Sequence, residues 1–200
     1  MLRIAILSVI FTMNNLVFAQ DFKQTYVDAN KTWLGIDFTI VKFVNSEAFA
    51  EPDKLNAFAG IWNDFVNKEP NKYDLPSAFF DGDIKINLDQ VNKRNNTIKG
   101  ANQVQEENHT VSPEEAEKVA LSYNLSNIDG IAIILVAECY NKPNLSGRYW
   151  LIMVDAKTKT TILSQKYSGK PGGFGFKNYW ARSFYNTLNQ IEKDLKTALK

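Results

Sequence analysis

Ten consecutive residues, Gly169-Lys170-Pro171-Gly172-Gly173-Phe174-Gly175-Phe176-Lys177-Asn178, form the most unusual tract of this 200-residue chain. Glycines ahead of a helix permit tight turns and close approach of the backbone. A helix amino terminus offers unpaired amides and the positive end of the helix dipole, so an anionic group can sit there. Lys170, Gly172, Gly173, Gly175, Lys177, Asn178 and Arg182 are therefore the candidate ligand-binding residues. The spacing matches neither G-x-x-x-x-G-K-[ST] nor G-x-G-x-x-G, so no nucleotide cofactor is expected. The competing reading is purely structural: a sharp strand-to-helix connection in which Phe174 and Phe176 plug the core edge and Asn178 caps the helix. That structural reading is the stronger of the two.

No other set of residues offers better chemistry. Cys139 and His109 are the single cysteine and the single histidine. A nucleophilic thiol needs an open, electropositive setting and a base within hydrogen-bond reach. Cys139 instead ends an apolar run, so it reads as a core-filling residue. One histidine and one cysteine also leave zinc short of ligands, and no metal is expected. Among the acids, Asp37, Glu69, Asp74, Glu138 and Asp155 lie on or beside apolar elements, where two carboxylates could serve glycoside hydrolysis. Asp155 fits a turn and Asp37 fits an outward strand face. Glu138 interrupts a nearly continuous apolar run, and Arg148 across the following strand is its expected partner. Of Trp33, Trp62, Trp150 and Trp180, three fall on positions facing the core, which disfavours a sugar-stacking platform. No catalytic residue is assigned.

The elements that hold these residues follow from hydrophobic period. Trp33 to Val44 predicts a first strand, with Ile36, Phe38 and Ile40 alternating with Asp37 and Thr39. Pro52 opens a helix carrying Leu55, Phe58, Trp62 and Phe65 at spacings of three and four, and Pro70 closes it. Ile84, Ile86 and Leu88 suggest a short strand. Asn92 to His109 is polar and predicts a long exposed loop. Ser112-Pro113-Glu114-Glu115 predicts a capping box with proline in the first helical position. Ile131 to Tyr140 is apolar on both parities, which predicts a central strand covered on both faces. Tyr149–Val154 and Thr160–Tyr167 predict a hairpin turned by Asp155. Trp180, Phe184, Leu188, Ile191 and Leu195 give the last helix a docking stripe. The expected fold is one α+β domain over residues 20–200: a mainly antiparallel sheet with helices packed mostly on one face.

The first nineteen residues read as a secretory signal peptide, with Arg3, an apolar Ile4–Met13 and small residues up to Ala19. The apolar run is about half the ~20 residues that span a bilayer, so no membrane span is expected after cleavage at Ala19. No cysteine lies near the cut to be acylated. Losing Arg3 turns a net charge of +1 into zero, which disfavours nucleic acid as a partner. A lone cysteine excludes an intrachain disulfide.

From the capped helix at Ser112 onward, with the apolar strand, the hairpin bend at Val154–Thr158 and the closing helix, residues 112–200 resemble exported α/β modules of cell-envelope proteins. The TolB amino-terminal domain and the penicillin-binding-protein activator lipoproteins are examples, although this chain lacks their lipid-bearing cysteine. The tract from Ser168 to Trp180 is similar to segments of secreted proteins of Bacteroidetes-type bacteria. The resemblance implies an envelope setting and a binding or assembly role. With export, charge neutrality and no catalytic motif, the expected function is a periplasmic or secreted, non-catalytic module that binds a protein or envelope polymer. The alternative is a small anionic-ligand-binding protein or hydrolase working at residues 169–178.

Overall fold

The computed structural model describes residues 22–200, and the expected leader lies outside them. Helix α1 covers residues 22–28. There follow β1 (Lys31–Asp37), β2 (Lys42–Val44), α2 (Leu55–Lys68), α3 (Leu75–Ala78), β3 (Lys85–Ile86), α4 (Asp89–Asn95), β4 (Val104–Gln105) and α5 (Pro113–Leu121). The chain ends with β5 (Ile131–Asn141), β6 (Ser146–Asp155), β7 (Thr160–Gly169) and α6 (Phe176–Ala198).

β5 is the spine of the sheet, and every one of its residues is buried. Along one edge it pairs in parallel, first with β1 from Lys31↔Ile131 to Asp37↔Val136, then with β2 from Lys42↔Cys139 to Val44↔Asn141. β3 flanks β1 and β4 flanks β2, both in parallel. Along its other edge β5 pairs antiparallel with β6, which pairs antiparallel with β7. Four of the six pairings are thus parallel, which overturns the expectation of a mainly antiparallel sheet. The cause is connectivity: helical segments between β2, β3, β4 and β5 carry the chain back to the same end before each strand begins. Only the short β5–β6–β7 turns reverse direction.

The fold is α+β, but its helices cover both faces. Tyr149 and Trp150 are neighbours on β6 and point to opposite sides. The Tyr149 hydroxyl meets Ser183 Oγ of α6 at 2.7 Å, whereas Trp150 Nε1 donates to Val111 O, just ahead of α5, at 3.1 Å. Double coverage explains why β1 is buried on both parities. The α5 start forms as its sequence dictates: Glu115 N donates to Ser112 Oγ, and Ser112 N donates to Glu115 Oε2 at 2.9 Å. On the α6 side a stack of rings fills the interior, with Trp180 5.0 Å from Tyr140 and 5.2 Å from Phe49.

The expected first strand is broken. After Asp37 the chain turns, with Val41 N donating to Phe38 O, and resumes as β2 on the same edge of β5. This break leaves the outer edge of Ile36 to Thr39 without a strand. Three side-chain amides replace it. Asn63 Oδ1 accepts from Ile36 N at 2.6 Å while its Nδ2 donates to Ile36 O at 2.9 Å. Asn95 Oδ1 accepts from Phe38 N at 2.8 Å and its Nδ2 also donates to Ile36 O. Gln103 Nε2 donates to Phe38 O at 3.0 Å and to Thr39 O. The Asn92–His109 segment is therefore no simple exposed loop. It contains the end of α4, a 3-10 turn (Gly100–Asn102) and β4, and buries Asn95, Gly100 and Gln103. Its polar composition hid the role, because the side chains it buries are amides serving backbone groups.

Replacing Asn95 by Leu leaves the buried Phe38 N–H unpaired, while Ile36 O keeps its bond from Asn63, and lowers the unfolding free energy by roughly 1–3 kcal/mol. The neighbouring exposed Asn96→Leu changes it by less than about 0.5 kcal/mol. Urea unfolding of the two variants beside the parent protein checks this contrast.

Candidate functional site

The glycine tract takes its position from α6, and α6 takes its position from two glycines. Gly147 and Gly169 are cross-strand partners on β6 and β7. A Cβ on Gly169 would stand 1.9 Å from Ser183 O, and one on Gly147 would stand 2.4 Å from Ser183 Oγ. The helix backbone thus rests directly on the sheet. Its stripe of Trp180, Phe184, Leu188, Ile191 and Leu195 is buried throughout. At the start of the helix, Trp62 Nε1 donates to Lys177 O at 3.0 Å and Gly172 N donates to Tyr179 O at 2.9 Å.

Within that frame the tract departs from its structural expectation twice. Gly175, at φ 77°, is the cap residue of α6, and no side chain caps the helix. Asn178 lies inside the first turn, exposed, so it does not cap. Phe176 packs against Phe58, 4.7 Å between centroids, but Phe174 is 95% exposed and plugs nothing. Gly173 (φ 100°) and Gly175 carry the chain through conformations that side chains disfavour, so Phe174 sits at the outer point of the bend.

Of the seven candidate residues, Gly172 is half-buried, and Lys170, Gly173, Gly175, Lys177, Asn178 and Arg182 are exposed. The cations are drawn to separate rings, Lys177 Nζ 5.7 Å from Phe65 and the Arg182 guanidinium 5.1 Å from Tyr185. The adjoining recess of about 160 Å³ is lined by Phe49, Phe58 and Phe176, and by none of the seven. What the tract presents is an uncapped helix start, an outward phenylalanine and a loose set of cations.

The acids serve the architecture. Glu69 pairs with Lys72 at 3.1 Å, and Asp74 caps α3 by accepting from Ser77 N. Asp155 accepts from Lys157 N and Thr158 N in the hairpin turn, and these bonds, led by Thr158, hold its carboxyl below the usual range. Asp37 is not on an outward face: it is fully buried. Its Oδ2 accepts from Arg94 Nε at 2.7 Å and from the Tyr123 hydroxyl at 2.8 Å, and its Oδ1 accepts from Thr39 N. Burial first, and the Asp37 charge second, push the Tyr123 hydroxyl far above the ordinary tyrosine range.

Glu138 occupies a β-bulge, the extra residue between Ala137↔Tyr149 and Cys139↔Arg148. Fully buried, it accepts from Arg148 Nε at 2.6 Å, pairs with Lys166, and accepts from Trp150 Nε1 at 3.2 Å. The Arg148 partner was legible in the sequence; Lys166, Arg94 and Tyr123 were not, since only the fold brings them near. Cys139 is buried, and desolvation raises its thiol above its ordinary value. Three of the four tryptophans are buried, and Trp150 is partly so.

His109 stands beside this second cluster. Desolvation lowers its pKa from 6.5, Lys42 and Arg148 lower it further, and Glu138 and Glu115 oppose the shift. Unfolding therefore raises its proton affinity. The stability tied to neutral His109 is complete above pH 6.5 and is lost as pH falls from 6.5 toward the lowered native value. In His109→Gln the decline in urea midpoint between pH 7.5 and 5.5 should be shallower than in the parent protein. Equal declines in both proteins would show that other groups carry the acid sensitivity.

The sequence matches no protein-family model and no curated protein, so the chemistry of these side chains is the ground on which a function must stand.

Proposed function

We propose that the chain is an exported, non-catalytic module of the bacterial envelope that holds a protein or an envelope polymer at the start of α6. One observation carries this reading: Phe174, 95% exposed, projects from a connection anchored at both ends to the core. An apolar ring presented to water is the form of an interface anchor, because its burial on a partner removes apolar surface from water. Lys170, Lys177 and Arg182 are exposed on the same connection and the first turns of α6, and the helix start carries no side-chain cap and no acidic residue in its first turn. The partner chemistry that fits is an apolar recess flanked by anionic groups.

Export rests on the leader sequence, and the envelope setting on the resemblance of residues 112–200 to envelope modules. The internal pairing of Asp37 and Glu138, and the buried Cys139 thiol, support a binding role over catalysis. A second reading, a small anionic ligand or hydrolase substrate at the same residues, draws on the uncapped amides alone.

Affinity capture from an envelope extract and co-sedimentation with purified cell-wall polymer separate the readings. Phe174→Ala should leave the unfolding free energy within about 0.5 kcal/mol of the parent and reduce capture at least about tenfold. Lys170→Glu with Arg182→Glu should weaken capture in a salt-dependent way. Undiminished capture by Phe174→Ala would sink the proposal.

A further inference from the structure

The break between β1 and β2 opens a second surface feature, a cleft of about 410 Å³ at the carboxyl end of β1. In sheets with parallel strands this end collects ligands, because the connections diverge there. Ile40, Val111 and Val119 give the cleft an apolar wall, and Arg94, Lys118 and His109 stand on its polar side.

Arg94 is held in one pose from three directions. Its Nε donates to buried Asp37, its Nη1 donates to Ser122 Oγ at 3.0 Å, and its guanidinium lies 4.7 Å from the Tyr123 ring. Among the described residues Nη2 makes no hydrogen bond, although the side chain is 30% exposed at the cleft. Most acceptors nearby are already used. Both Asp37 oxygens are occupied, the Thr39 hydroxyl donates to Asp37, and the Ser122 hydroxyl donates to Val119 O. Glu115, which also lines the cleft, has Oε2 bound into its capping box and keeps Oε1 free. Besides that oxygen, the free groups are two cationic donors, Arg94 Nη2 and the Lys118 ammonium, and the His109 ring.

We infer that this cleft is a binding site for small carboxylates with a short apolar body, the carboxylate on Arg94 and Lys118 and the body against Ile40, Val111 and Val119. A fork of preordered guanidinium donors suits a carboxylate better than a neutral hydroxyl, which brings a donor of its own into a donor-rich end. The volume falls within the range of roughly 300–1,000 Å³ typical of small-molecule sites. Asp37 is a positioning residue here: it meets no ligand and fixes the arginine. The site is separate from the start of α6 and shares no residue with it.

Titration calorimetry of the whole protein with hexanoate, beside 1-hexanol as the neutral analogue, tests the site. Hexanoate should bind saturably, and hexanol at least about tenfold more weakly. Arg94→Lys keeps a cation beside Asp37 but removes the fork, and should weaken hexanoate at least about tenfold. Ile40→Trp touches no charge and fills the apolar wall; circular dichroism should show it folded, with hexanoate binding abolished. Absence of saturable hexanoate binding, equal affinity for hexanol, or undiminished binding by folded Ile40→Trp would each overturn the assignment.

Discussion

A parallel strand that stops halfway along its partner leaves backbone groups facing nothing, and this chain cannot fold without satisfying them. Between Asp37 and Lys42 the edge of the sheet lacks a neighbour, deep enough that water does not reach Ile36 or Phe38. Buried peptide groups must be paired. Asn63 from α2, Asn95 from α4 and Gln103 beside β4 supply the pairs, each reaching from a different element. The placement of the surrounding helices is thus tied to a few hydrogen bonds, not to apolar contact alone. Asn63 even copies a strand, donating to and accepting from the same residue.

The same break accounts for the buried charge. Asp37 is the last residue of β1, and Thr39 N closes a turn on its carboxylate. Glu138 sits in the other irregularity, the bulge of β5. Both carboxylates lie on the α5 side of the sheet, and both are matched by an arginine whose own head group reaches the surface. Removing one partner from such a pair costs far more than the pair contributes, which is why groups that look catalytic by type behave as parts of the frame.

Elements specified by local rules were legible in the sequence. The Ser112–Glu115 box, the Asp155 turn, the apolar run of β5 and the α6 stripe all rest on interactions within a few residues. Those set by distant residues were not. Nothing near Phe38 announces a break, because the amides that permit it lie 25 to 65 positions later, from Asn63 to Gln103. Parallel pairing was hinted at by β5, whose two-sided hydrophobicity fits it, yet strand direction depends on crossover paths that period cannot show. At the tract, composition marked the place but not the side-chain directions. Phe176 turns inward onto Phe58 and Phe49, whereas the bend through Gly173 and Gly175 turns Phe174 outward.

The two embedded carboxylates also act as keys that admit one alignment. Side chains alternate along a strand, so sliding β1 or β5 by a single position would carry every group to the opposite face. For an apolar residue in a sheet covered on both sides, such a slip is nearly neutral, and a spine like β5 could settle in several positions. Glu138 removes that freedom, for a shifted strand would drive its charge toward Trp180 and Phe49 and away from Arg148 and Lys166. Asp37 imposes the same penalty on the neighbouring strand. Charge buried at two irregularities thereby gives a uniformly greasy sheet a unique alignment.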